Sequence, residues 1–199
     1  MAKPALMLLV SGQQVNPMTL AENPDAIVIE DIAHALACVN RFGGHTKKPT
    51  NVAQHSVYVS RLSGPDPVAR LQGLLHDASE AYLGDIIKWI KATPEFERYR
   101  EIEDNLQRAI YRKFGVPEEM LPAVERADRI MVRHEGVQGY GRKVWMEWAQ
   151  HFPHYPVVTP EERAEIGPWA HWGWEWSRDV FLTEYRMASE ALRRAPGLG

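Results

Sequence analysis

From about Glu30 to the C-terminal region, the chain repeats one pattern: apolar residues three and four apart, in stretches closed by glycine or proline. That spacing puts one apolar stripe on each of a series of helices and leaves little room for a large sheet. Ile32, Leu36 and Val39 make the first stripe, and Gly43–Gly44 is expected to end it. Thr50 reads as the N-cap of a second helix carrying Val52, Ser56 and Val59. After a turn from Gly64 to Pro67, a third helix carries Leu71, Leu74, Leu75 and Ala78 and runs to Gly84. Thr93 and Pro94 fit the N-cap and first position of a fourth helix, which Gly115 stops. A fifth starts near Glu118 or Leu121 and shows Val124, Ala127, Met131 and His134. His151 to Trp169 is rich in Pro and Trp and is expected to be irregular, and a last helix runs from about Trp172 to Arg194. Strand-like sequence is confined to ALMLLVSGQQVNPM, which suits a small hairpin turning near Ser11–Gly12. The expected fold is all-α with a small N-terminal β-hairpin. With no repeat, low-complexity tract or linker, one domain over residues 1–199 is expected.

Composition narrows the chemistry. The 199 residues include eight histidines and one cysteine, Cys38, so a metal site must be built from imidazoles and carboxylates. Cys38 is expected to be a small buried thiol outside the reaction. A formal net charge of −3 argues against a broad nucleic-acid surface, which needs a basic face. No apolar run approaches the roughly 20 residues of a membrane span. The run Ala5–Val10 is too short for a signal-peptide core, so an unprocessed cytosolic protein is expected.

The most informative stretch is LLHDASEAYLGD, Leu74 to Asp85. On one helix, Glu80 would lie roughly 40° around the axis from His76, and Asp77 roughly 100°, so all three can face one pocket. His55, in VAQHS, precedes His76 by one helix–turn–helix step. Asp128, in ERADRI, falls beside the inward stripe of Val124 and Met131, where a carboxylate is unusual without a partner. Singly, each has an ordinary explanation, such as a hydrogen-bonded core histidine or an intrahelical partner for arginine. Together, His55, His76, Asp77 and Asp128 form a mixed nitrogen–oxygen set suited to Zn, Mn, Co, Ni or Fe. Four protein ligands on an octahedral ion leave two positions for water or a phosphate oxygen.

The order H…HD…D on separate helices resembles that of the HD-domain metal-dependent phosphohydrolases. The longer run IEDIAHALACVNRFGGHT…VAQHS…LLHDASEAYLGD…ADR is similar to the small phage and bacterial members. These include the DatZ-type dATP triphosphohydrolases and, more distantly, the YfbR-type deoxynucleoside 5′-monophosphate phosphatases. The resemblance covers roughly residues 10 to 190. It implies an HD-domain helical bundle, a divalent transition metal held by His55, His76, Asp77 and Asp128, and Glu80 as the group that activates or orients the attacking water. It also implies that Arg41 contacts phosphate and that Phe42 lies beside the sugar or base. Asp85 would approach the sugar or hold the pocket, and Lys91 would reach the phosphates. A Mg ion could ride on the substrate phosphates. Relatives tend to be homo-oligomers, and the host is expected to be a bacterial or phage-infected cytosol.

One departure concerns the rim. Where relatives often carry prolines before the lysine, this chain reads DIIKWIK, with Lys88 and Trp89 in their place. No histidine lies between Asp77 and Asp128, which argues against a binuclear phosphodiesterase. The resemblance implies hydrolysis of 2′-deoxynucleotides: dATP to deoxyadenosine and triphosphate, or alternatively a 5′-monophosphate to nucleoside and phosphate. A non-catalytic nucleotide-binding protein of this kind would be expected to lack Glu80 or a ligand, and neither is missing. No stable nucleic-acid or membrane partner is expected. His34 is expected to be structural, and His134, His151, His154 and His171 show no ligand spacing. Six of the seven tryptophans fall between Trp145 and Trp176, a cluster expected to serve a core or a subunit interface.

Overall fold

The computed structural model describes residues 6–151 and 158–194. His154 and the middle of the Pro- and Trp-rich segment lie outside the described residues. A two-stranded antiparallel hairpin, β1 (Met7–Leu8) and β2 (Gln14–Val15), opens the fold, with Met7 opposite Val15 and Leu8 opposite Gln14. Its turn spans Ser11–Gly12, as the sequence suggested, and Gly12 takes the left-handed φ of 86° that the turn needs. The Ser11 N–H and Oγ–H donate to the two oxygens of Asp31, which fastens the hairpin tip to the first turn of the first helix.

Ten α-helices follow among the described residues. The first two are α1 (Ile29–Cys38) and α2 (Val52–Leu62). Three shorter ones are α3 (Pro67–Leu75), α4 (Glu80–Leu83) and α5 (Lys88–Lys91). The longer α6 (Glu97–Phe114) and α7 (Pro122–Tyr140) come next, then α8 (Arg142–Ala149), α9 (Pro160–Ile166) and α10 (Trp174–Arg194). None is long and apolar enough to cross a membrane.

Helix α2 is the axis of the bundle. Nine of its 11 residues are buried, among them the polar Gln54, His55, Ser56 and Ser60. Val52, Ala53 and Val57 join the main core, which α1, α3, α6 and α10 build around Ile32, Leu36, Leu74, Leu106 and Phe181. Tyr58 and Val59 turn to a second core with Val124, Ala127, Ile130 and Met131 of α7. Helix α3 lies close along α2 because Gly73 has no side chain. A Cβ there would come 2.8 Å from Ser63 Oγ and 3.1 Å from Ser60 Cα.

The structure corrects several local expectations. Helix α1 ends at Cys38 instead of running to Gly43–Gly44. Residues 39–41 leave it to pair with 50–52: Arg41 N–H donates to Thr50 O and Val52 N–H to Val39 O. With Thr50 in that bridge, Asn51 becomes the cap of α2, its side chain accepting from Gln54 N–H at 2.9 Å. The third helix does not run unbroken to Gly84. At His76–Ser79 the bonding switches to tighter i→i+3 turns (Ala78 N–H to Leu75 O, Glu80 N–H to Asp77 O) before α4 resumes. Part of the segment expected to be irregular is helical. Thr159 and Glu162 form a reciprocal capping box that starts α9 on Pro160. Cys38 is exposed, not buried, because it stands one step off the Ile32–Ala33–Leu36–Ala37 face of α1.

Candidate metal centre

Four elements deliver the polar cluster. Helix α2 supplies His55, the turn after α3 supplies His76 and Asp77, α7 supplies Asp128, and the 39–44 loop supplies Arg41. The two consecutive residues at the break after α3, His76 and Asp77, bring Nε2 and Oδ2 to 3.2 Å of each other. His55 Nε2 lies 3.2 Å from His76 Nε2 and 3.1 Å from Asp128 Oδ1. Asp77 Oδ2 is 3.2 Å from His76 Nε2 and 3.8 Å from His55 Nε2, and it also accepts from Arg41 Nη1 at 3.1 Å.

The far nitrogen of each ring fixes its proton. His55 Nδ1–H donates to Glu135 Oε1 at 3.0 Å and His76 Nδ1–H to Gly73 O at 2.8 Å. A carboxylate and a carbonyl only accept, so in the neutral rings both Nε2 atoms carry lone pairs. Two lone pairs 3.2 Å apart, faced by two carboxylates, repel unless a cation lies among them. One candidate is a proton. Burial works against charging His76, but Asp77 and Asp128 raise its pKa well above the ordinary value. His55 is raised as well: burial and Arg41 oppose the charge, and Glu135 and Asp128 outweigh them. Burial opposes ionising Asp77 and Asp128 too, yet the neighbouring imidazoles hold both carboxyls below their ordinary range.

The other candidate is a metal ion. Buried His55 and His76, with Asp128, offer ligand atoms all within 4.8 Å of one another, a group that could hold one. With bonds of about 2.1 Å, neighbouring ligands of a bound ion stand about 3.0 Å apart in octahedral geometry and about 3.4 Å in tetrahedral geometry. Two of the three separations, 3.1 and 3.2 Å, fall in that range, and the third, His76 Nε2 to Asp128 Oδ1, is wider at 3.8 Å. Asp77 is near enough to join, although Arg41 already holds its Oδ2.

Sequence reasoning missed Glu135. It is fully buried on α7, and its second oxygen accepts from Arg41 Nε at 2.9 Å. It therefore orients a candidate ligand and the nearest cation at once. Its one signal in the sequence was position: two helical turns after Asp128, on the same inward face.

The cluster opens into a cleft of about 710 Å³ that Arg41, Phe42, Glu80, Asp85 and Lys91 also line. Glu80 is buried, and its Oε2 has no protein partner. Burial first, then Asp77 and Asp85, push its pKa well above the ordinary carboxyl value. Burial raises Asp85 too. Lys91 lines the cleft but is engaged: its Nζ donates to both oxygens of Glu103, at 2.9 and 3.1 Å. Phe42, with a left-handed φ of 57°, turns its ring edge-on to Tyr140 and toward Trp145. The second half of the DIIKWIK stretch folds as α5 and brings Trp89 to 6.2 Å from Trp148 of α8.

The tryptophans therefore do not form one cluster. Trp145 is buried and Trp148 lines the cleft beside it, while Trp169 and Trp172 pack on Tyr58. Trp174 and Trp176 are exposed. His34 meets Trp174 edge-on, away from the cluster, and His171 Nδ1 lies near Thr50 Oγ1 and Pro49 O.

The chain is 38% identical over 148 residues to the uncharacterized protein RCAP_rcc00048 of Rhodobacter capsulatus, covering 68% of this chain and 74% of that protein. It belongs to that protein's family. A second relative, the uncharacterized protein YfdR of Escherichia coli K12, is 40% identical over 113 residues, which span 57% of this chain and 61% of YfdR. No family model matches the chain. Neither relative of this family carries a stated activity, so the chemistry must be argued from the centre itself.

Proposed function

We propose that this chain is a metal-dependent phosphohydrolase of 2′-deoxynucleotides, with dATP triphosphohydrolysis, the activity implied by the resemblance, as the first to be tested. One observation carries the reading. Two buried imidazoles turn lone pairs toward each other and toward two carboxylates, with Glu80 and Arg41 on the walls of the adjoining cleft. His55, His76, Asp128 and Asp77 would hold a divalent transition ion, which would supply Lewis-acid polarisation of a phosphate oxygen and make the attacking water more acidic. Arg41, always charged, offers its remaining N–H groups to the phosphate, while Asp77 and Glu135 keep its plane fixed. Glu80 takes the proton of the attacking water, and the upward shift of its pKa suits a group that must later give that proton back. Water oxygen bonds to the α-phosphorus, the bond to the nucleoside 5′ oxygen breaks, and the proton ends on that oxygen. The products are the nucleoside and triphosphate.

A second reading, a deoxynucleoside 5′-monophosphatase, is favoured by the charge of the cleft. Arg41 is shared with two carboxylates and Lys91 is tied to Glu103, so few cations are left for three phosphates. Incubating the protein with each dNTP and dNMP plus Mn, Co, Zn or Mg, and separating the products, decides between the two. Triphosphate release supports the first reading and phosphate release from monophosphates the second. If no nucleotide turns over with any of these ions, both fail.

A further inference from the structure

We infer that the aromatic end of the cleft is a stacking site that selects a planar ring by its area and does not tell adenine from guanine. The inference rests on the nucleotide reading above and narrows its substrate class. From Arg41 outward, the wall of the cleft changes character. The Arg41 guanidinium lies 5.8 Å from the Phe42 ring centre, and Phe42 meets Tyr140 edge-on at 5.8 Å. Trp145 lies 6.5 Å from Phe42 and 4.9 Å from Trp148, and Trp148 lies 6.2 Å from Trp89 across the mouth. A chain of aromatic ring contacts thus runs from Arg41, through the buried Trp145, to the rim. At the rim, Trp89 and Trp148 remain 39% and 36% exposed, with Val144 and Ile87 exposed beside them. Exposed apolar rings in a cleft next to a charged centre suit a ligand with an anionic head and a flat apolar tail.

Reading a base edge takes committed donors and acceptors, and two of the charged donors at this end, Lys91 and Arg100, are engaged elsewhere. Lys91 is held by Glu103. Arg100 donates to the carbonyl oxygens of Lys91 and Thr93. Asp104 of α6 also lines the cleft, but a carboxylate only accepts. It would favour an exocyclic amino group, which adenine, guanine and cytosine all carry. Stacking is tolerant of base identity because every base has a π face, and it grows with ring area. Purines are therefore ranked above pyrimidines, thymine lowest, and dATP and dGTP are handled alike.

The test uses the whole protein and the four deoxynucleosides, which carry no phosphate and so report on this end alone. Calorimetric titration should give deoxyadenosine and deoxyguanosine similar affinities, with thymidine weakest. Trp148→Ala should weaken both purines about tenfold, in the range of one lost base–aromatic stack, and Trp89→Ala should act in the same direction. Trp148→Phe keeps a ring and should restore most of the binding, which separates lost stacking from lost folding. Strong preference for one purine, undetectable nucleoside binding, or unchanged binding in both alanine variants overturns the inference. Its failure is distinct from that of the phosphohydrolase reading. Hydrolysis with an unaltered KM in the tryptophan variants removes the stacking site and keeps the enzyme. Nucleoside binding in the expected order without hydrolysis keeps the site and removes the enzyme.

Discussion

His134 and Glu135 are consecutive on α7, both are buried, and they meet opposite environments. Glu135 faces the cleft side, where each oxygen has a partner: His55 Nδ1–H at 3.0 Å and Arg41 Nε–H at 2.9 Å. His134 faces the back of the helix, where its ring meets Trp169 edge-on at 4.9 Å and neither nitrogen has a hydrogen-bond partner. The front is an ionic lattice in which each group fixes its neighbour, and the back is packing that tolerates a polar ring only in its neutral form. Two buried histidines of one protein therefore titrate in opposite directions. His55 is raised despite burial, and His134 is pushed down to about 4, by burial first. Burial alone does not set the direction of the shift; charged neighbours do.

The largest test of this contrast removes a candidate front-side ligand. His76→Ala should abolish ion-dependent stabilisation. The wild type at an ion concentration a hundred times its Kd should gain about 2.7 kcal/mol, read as a rise in melting temperature. The variant should gain nothing, and any hydrolysis should go with it. A variant that is still stabilised by Mn or Co would place the ion elsewhere. Next comes the residue behind the ligand. Glu135→Gln leaves one acceptor for His55 Nδ1–H but removes the charge that holds Arg41. Metal affinity should fall about 10- to 100-fold, measured by competition with a chromophoric chelator. An unchanged affinity would reduce Glu135 to a core ion-pair partner.

The next residue of α7, Gly136, tests the wall between the two environments. A Cβ there would lie 2.2 Å from the buried Trp145 ring, closer than any real contact. Gly136→Ala should therefore cost about 1–3 kcal/mol through overpacking, seen as a lower denaturant midpoint. A melting temperature equal to the wild type would mean that Trp145 can move aside, and that the aromatic end is less rigid than its packing suggests.

How far these features can be read from sequence depends on their physical range. The last helix, expected from about Trp172 to Arg194, starts at Trp174. The long helix α6 was legible because a continuous apolar stripe and a terminating glycine are local signals. So were His55, His76, Asp77 and Asp128 as a convergent set, since each sat oddly on or beside an apolar stripe. The break at His76–Ser79 was not legible, because apolar spacing is nearly the same for tight and ordinary helical turns. The α9 capping box stood in the sequence at Thr159 and Glu162, but Pro- and Trp-rich surroundings hid it. The Arg41–Glu135 pair joins residues 94 apart, and no local pattern connects them. Lys91 was expected at the phosphates. Its tie to Glu103 depends on how the short α5 docks on α6, which a single departing loop sequence does not specify.

A pH dependence carried by His134 probes the back face directly. Its unfolded pKa is near 6.5, and the fold holds it near 4. Between those values the unfolded chain takes up a proton that the folded chain refuses, so falling pH favours unfolding. The neutral ring's full contribution is present above pH 6.5 and is lost as the pH falls toward 4, below which the loss stops growing. His134→Leu removes the titrating group and keeps an apolar body against Trp169. The wild type should lose more melting temperature than the variant between pH 7 and pH 4.5, with a chelator present so that metal release contributes to neither. The carboxylates and the front-side histidines titrate in both proteins and cancel in the difference. Parallel curves would mean that the back of α7 admits water to His134. The contrast between its two faces would then be one of partners only, not of polarity.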